Sequence, residues 1–295
     1  MTWPPFTPVS ASKSRAQRSR GLGCLFMISI VGAQGGAIVE QFRAADRMGR
    51  MRAISDSLLQ RIPASESEVR NLLTEALKDP DGSVRAEAVG SIGTILLFAS
   101  TPTPPAGAEW TVKWRDVAAA LRPQLDEALQ DPEPRVRREA LRGIVAPYAN
   151  RLTPVGERLP PPLVARLAQL FDTDASALVR AAVLPIVTAA HTSADPEARR
   201  LAAQAVLRGL QDSEPSVVQA AARAAGGMRH PDALPVLVKH LQHPSFNVRM
   251  VVAQGIAAYR ADARRYIPEL EAALAAETHD ITRKTIAGTI SVISK

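Results

Sequence analysis

Arginine recurs at a fixed place in this chain, at Arg85, Arg137, Arg180, Arg249 and Arg283, each one position after an aliphatic residue or, at Arg283, after Thr282. A row of guanidinium groups can hold phosphates or acidic segments. Equally, each arginine can pair with an acidic residue in the turn before it, in its own repeat or the neighbouring one. A position that recurs from repeat to repeat favours this second role, because such positions serve packing between repeats. The densest basic cluster lies around the second copy. Arg135, Arg138 and Arg142 flank Arg137, and these three are candidate contacts for an acidic partner. Trp110 and Trp114 stand four residues apart, on one face of a helix, beside a proline-rich stretch. They either belong to the core or, since exposed aromatics mark interfaces, form a contact site, and as the latter both are candidate partner-binding residues.

Other chemistry is thinly supplied. His240 and His243 lie one helical turn apart with His230 upstream, a start for a metal site that lacks a convergent third ligand. No Gly-x-Ser-x-Gly, P-loop or dinucleotide fingerprint occurs. The single cysteine, Cys24, excludes a disulfide framework within one chain. No catalytic residue, metal or cofactor is expected, and a small-molecule ligand is not expected either.

The elements that must carry these residues repeat. An acidic or polar turn residue is followed five positions later by an anchor. Small or aliphatic residues come four and eight positions after that. The copies begin at Asp79, Asp131, Asp174, Asp212, His243 and Glu277, with anchors at Val84, Val136, Val179, Val217, Val248 and Thr282. Spacing of i, i+4, i+8 is one stripe on a helix. Asp, Ser or Asn ahead of the anchor can cap that helix, and proline is tolerated in its first turn. Three copies carry Pro-x-Leu-x-x-x-Leu before the turn, at Pro123, Pro235 and Pro268, so a first helix that the proline opens or kinks precedes each second one. Val218 stands where the fourth copy should have arginine. Pro185 is expected to kink the third second helix, and Gly226–Gly227 to end the fourth.

The segments Asp131 to Leu141 (DPEPRVRREAL) and Asp79 to Val89 (DPDGSVRAEAV) make the chain resemble the HEAT-repeat family over about residues 66–295. The resemblance implies an all-α fold, a right-handed α-solenoid of about six helical hairpins. It says little of function, since the family is a frame used for many tasks. The His-Glu pairs of HEAT-type diiron hydroxylases are absent. The expected domains are a basic, proline-rich tail (1–20), a hydrophobic segment (21–39), an amphipathic cap or juxtamembrane helix (40–65) and the repeats (66–295), with a proline-rich loop inserted at 100–109.

Residues 21–39 form an uncharged run of 19, about 28 Å long as a helix, behind Lys13, Arg15, Arg18 and Arg20. Three readings stand open beside the plain one of a buried first helix of the fold: a retained signal anchor with the amino end in the cytoplasm, a cleaved export signal, or a true start at Met27 or Met48 that leaves a cytoplasmic protein. The net charge is +7, and taking those four cations away leaves +3 on the remaining 275 residues. A body so mildly basic, with aromatics at 4 %, does not suit nucleic acid. The function expected is a non-catalytic scaffold that binds a protein, at a membrane or exported. The alternative is a HEAT-like nucleic-acid-binding or lyase-type enzyme acting on a large substrate.

Overall fold

The computed structural model describes residues 37–58, 64–99, 109–148 and 159–295. The tail 1–20 and most of the hydrophobic segment lie outside these residues. Within them no helix is long and apolar enough to cross a membrane.

Fourteen α-helices and no strand occur among the described residues, and the helices fall into seven consecutive pairs. They are α1 (Ala37–Ala44) with α2 (Arg47–Leu58), α3 (Glu66–Ala76) with α4 (Gly82–Ala99), α5 (Glu109–Ala128) with α6 (Pro134–Val145), and α7 (Pro161–Thr173) with α8 (Ala177–Val187). There follow α9 (Pro196–Gly209) with α10 (Pro215–Met228), α11 (Ala233–Lys239) with α12 (Phe246–Ala257), and α13 (Ile267–Ala276) with α14 (Asp280–Ser294). Each second helix packs against the second helices of the pairs before and after it, from α2 through to α14. First helices meet first helices in the same way at α1 with α3, α3 with α5, α7 with α9 and α9 with α11.

The anchors do what their spacing requires. Val84, Ala88 and Ile92 are wholly buried, as are Val179, Val183 and Val187, and Val248, Val252 and Ile256. From the other side Leu125, Leu237 and Leu270 close the same core. The apolar stripe of each helix is thus covered by its partner and its neighbours, which is why the pairs are stable only as a stack.

Several expectations need correcting. The segment expected as one cap helix over 40–65 is a full helix pair, because Ile38, Phe42 and Ile54 bury their side chains against the first repeat. This takes residues 37–39 out of the hydrophobic segment and into α1. Glu109 belongs to α5, so the inserted loop ends one residue earlier. Pro235 and Pro268 lie in the first turns of α11 and α13, but Pro123 lies deep inside α5. Pro185 sits inside α8, which ends two residues later in a 3-10 turn, Thr188–Thr192. Gly226 and Gly227 do not end α10; the helix runs on to Met228 and stops at Arg229, whose φ of 51° is left-handed. Gly226 is small for another reason: a Cβ there would stand 3.0 Å from the Gly255 Cα of α12. Gly93 and Gly143 meet likewise between α4 and α6, at 2.8 Å. In both joints the backbones approach so closely that a methyl group would force them apart.

Candidate functional site

The repeated arginines are spent on the fold. Arg85 donates through Nε and Nη2 to both carboxylate oxygens of Asp131, at 2.8 Å each, and through Nη1 to the Asp79 carbonyl of its own turn. Arg137 grips Asp174 and the Asp131 carbonyl in the same manner. Arg180 grips Asp212, and Arg249 grips Glu277. Each guanidinium therefore ties its own turn to the carboxylate that opens the next second helix. Every such carboxylate also accepts a backbone N–H two residues on, from Glu133, Ser176, Glu214 and His279. The residue next to the helix makes no side-chain cap bond at Glu133, Ser176 or Glu214, whereas His279 accepts the Thr282 N–H through Nδ1.

The electrostatics agree with the geometry. Arg249 holds the Glu277 carboxyl down to about 2, against the opposing effect of burial. Burial alone would raise Asp131, Asp174 and Asp212, but the arginine and the backbone N–H outweigh it and the net direction is downward. Arg50 of α2 extends the ladder one rung earlier, 2.7 Å from Asp79. The sequence pattern missed this rung because Gly49 occupies the anchor position. Between Arg180 and Arg249 one rung is missing on both sides. Val218 replaces the arginine, and His243 replaces the acid while still accepting the Ser245 N–H through Nδ1. Burial, then the neighbouring His240, holds His243 toward its neutral form, as an accepting nitrogen requires. Arg283 reaches only Asp280 of its own helix.

The other sequence candidates divide. Arg135, Arg138 and Arg142 all lie on α6, on the face turned away from the first helices. Arg138 and Arg142 both donate to Glu139, at 2.8 and 3.3 Å, while Arg135 is exposed and free of any ion pair. Trp110 and Trp114 fall in α5, and their side chains lie outside the described ones. His240 and His243 stand 5.9 Å apart by ring centroids, His240 Nε2 lies 2.6 Å from the Leu210 carbonyl, and no third metal-binding group joins them among the described residues.

Apart from a hollow of about 370 Å³ beside Thr74, Gln124 and Asp131, two cavities stand out among the described residues, both on the exposed face of the second helices. The larger, about 800 Å³, lies over α2, α4 and α6, with Met51, Leu58, Ala86 and Ile95 as its apolar wall and Glu87, Arg135, Arg138 and Glu139 as its charges. The other, about 530 Å³, lies over α8 and α10, lined by Ala181, Pro185, Ala220, Arg223 and Met228. Sequence reasoning found the arginines of this face but not the hollow they border, which depends on three helices at once.

A stack of helix pairs, with second helices packed in one row and first helices in another, is the arrangement of the helical-repeat proteins. Residues 203–291 match the family model described as HEAT repeats. An engineered protein of known crystal structure is 18 % identical, covering 76 % of this chain and 98 % of its own, with a TM-score of 0.50. YibA of Escherichia coli is 14 % identical, covering 89 % of this chain and 93 % of its own, also with a TM-score of 0.50. At such identities the likeness is one of fold. No curated protein matches the sequence.

Proposed function

We propose that this chain is a non-catalytic scaffold that binds a segment of another protein along the face of its second helices. The observation that carries the reading is that the two larger cavities among the described residues open on this one face, and that unpaired charges stand there at Glu87, Arg135 and Arg223. A row of parallel helices with apolar hollows and uncommitted charges suits an extended or helical segment better than a small molecule. The ladder supports the same reading from the other side. Four arginines that a nucleic-acid reading would need are taken up by Asp131, Asp174, Asp212 and Glu277. Direction to a membrane is a separate part of the proposal, and it rests on the basic and then uncharged sequence of residues 13–36.

Photocrosslinking residues placed one at a time at Ser83, Ser216 and Asn247, on second helices, and at Arg70 and Glu197, on first helices, test the binding face. One polypeptide captured from the first three sites and from neither of the last two is expected. Capture only from the first helices would overturn the assignment. Cell fractionation with amino-terminal sequencing of the native protein tests the membrane part.

A further inference from the structure

Glu87 and Glu139 occupy equivalent places, three residues after the anchors of α4 and α6. Their surroundings differ in one respect. Glu139 takes Arg138 beside it at 2.8 Å and Arg142 at 3.3 Å. The same two positions around Glu87 are Ala86 and Gly90, so its half-buried carboxylate makes no hydrogen bond and no ion pair. Those two small residues also help to open the larger cavity. A Cβ built on Gly90 would touch only Glu139 Oε2, at an ordinary 3.8 Å, so the space above it is free and borders a second carboxylate.

We propose that the Glu87 corner of this cavity is a subsite for an arginine side chain of the bound protein segment, its guanidinium lying over Ala86 and Gly90 and pairing with Glu87. This deepens the proposed protein-binding function and rests on it. The guest would restore for α4 the pairing that α6 makes with its own arginines. Burial first, and the neighbouring Glu139 second, push the Glu87 carboxyl above its usual range, and the charge of an entering cation opposes both effects. Arginine suits the place better than lysine. Its planar fork matches a carboxylate on two bonds, and its weaker hydration makes entry into a half-buried hollow less costly. The methylene stem would lie along Met51, Leu58 and Ile95.

The test is an NMR titration of the full chain with two acetylated and amidated seven-residue peptides, three alanines on either side of arginine or of citrulline, which keeps the shape and lacks the charge. The arginine peptide is expected to bind, to move the Glu87 carboxyl resonance, and to bind at least about tenfold more tightly than the citrulline peptide. Glu87→Gln should erase that preference. Gly90→Arg should fill the hollow from within, lower the Glu87 titration and block the arginine peptide, with helicity by circular dichroism unchanged. Equal affinity for the two peptides, an undiminished preference in Glu87→Gln, or no binding at millimolar peptide would overturn the subsite. Crosslinks from Ser216 and Asn247 that survive such a result would leave the scaffold reading standing, and their loss would remove that reading instead.

Discussion

Cutting one rung of the ladder should destabilise the stack by an amount the geometry sets. Arg137 and Asp174 are the choice, with side-chain exposures of 14 and 3 % and two bonds of 2.8 Å between them. Arg137→Ala strands the Asp174 carboxylate, which keeps only the Ser176 N–H. Losing one partner of a buried pair costs about 3–5 kcal/mol. The surviving backbone bond puts this case near the low end, at about 3 kcal/mol. Asp174→Asn keeps an oxygen for the Ser176 N–H and leaves Arg137 its two carbonyl bonds, so about 2 kcal/mol is expected. The double variant should cost less than the singles combined, with a coupling of about 2 kcal/mol. Urea unfolding measures it, since guanidinium chloride would screen the pair. A coupling below about 0.5 kcal/mol would show that the rung is ornamental and that apolar packing alone sets the spacing of the pairs.

Writing the missing rung into the sequence should create the same coupling: Val218→Arg and His243→Asp are each expected to destabilise alone and to recover about 1–2 kcal/mol together, as read by urea unfolding. In acid, the Glu277 carboxyl, held near 2 against an ordinary 4.5, contributes stability that is complete above 4.5 and lost as the pH falls from 4.5 to 2. Unfolding midpoints measured across that window should drop, and Arg249→Ala should flatten the drop. Gly93→Ala places a methyl group 2.8 Å from the Gly143 Cα and should cost about 1–3 kcal/mol by thermal unfolding, whereas Gly288→Ala, which meets nothing within 4 Å, should gain about 0.5–1 kcal/mol.

Local rules carried the sequence reading a long way and failed where contacts span several pairs. The anchors were legible because a stripe at i, i+4, i+8 has one meaning on a helix, and Val84, Val179 and Val248 are all buried as it requires. Pro235 and Pro268 open their helices in the first turn as one branch of the expectation required, while Pro123 stands inside α5, where only the other branch, a kink, applies. The α1–α2 pair escaped notice because Gly49 hides the anchor, although Arg50 keeps the ladder position. Glycine was read as punctuation at Gly226, when its task is to let two helices touch. The cavity was out of reach of one-helix rules, yet its signal was present: aligning the copies sets Ala86 and Gly90 against Arg138 and Arg142, and the uncompensated Glu87 stands out.

The gap at Val218 and His243 divides the clamped turns into two runs. On the α10–α12 side of that gap the joint is held by close backbone contact at Gly226 and Gly255 and by the Tyr259 hydroxyl, which donates to the Ala225 and His230 carbonyls. Ion pairs resist shear through direction, while smooth apolar contact lets helices slide. Under tension, or during exchange of amide hydrogens, the chain should therefore part first at this seam, releasing its last two pairs as one cooperative block.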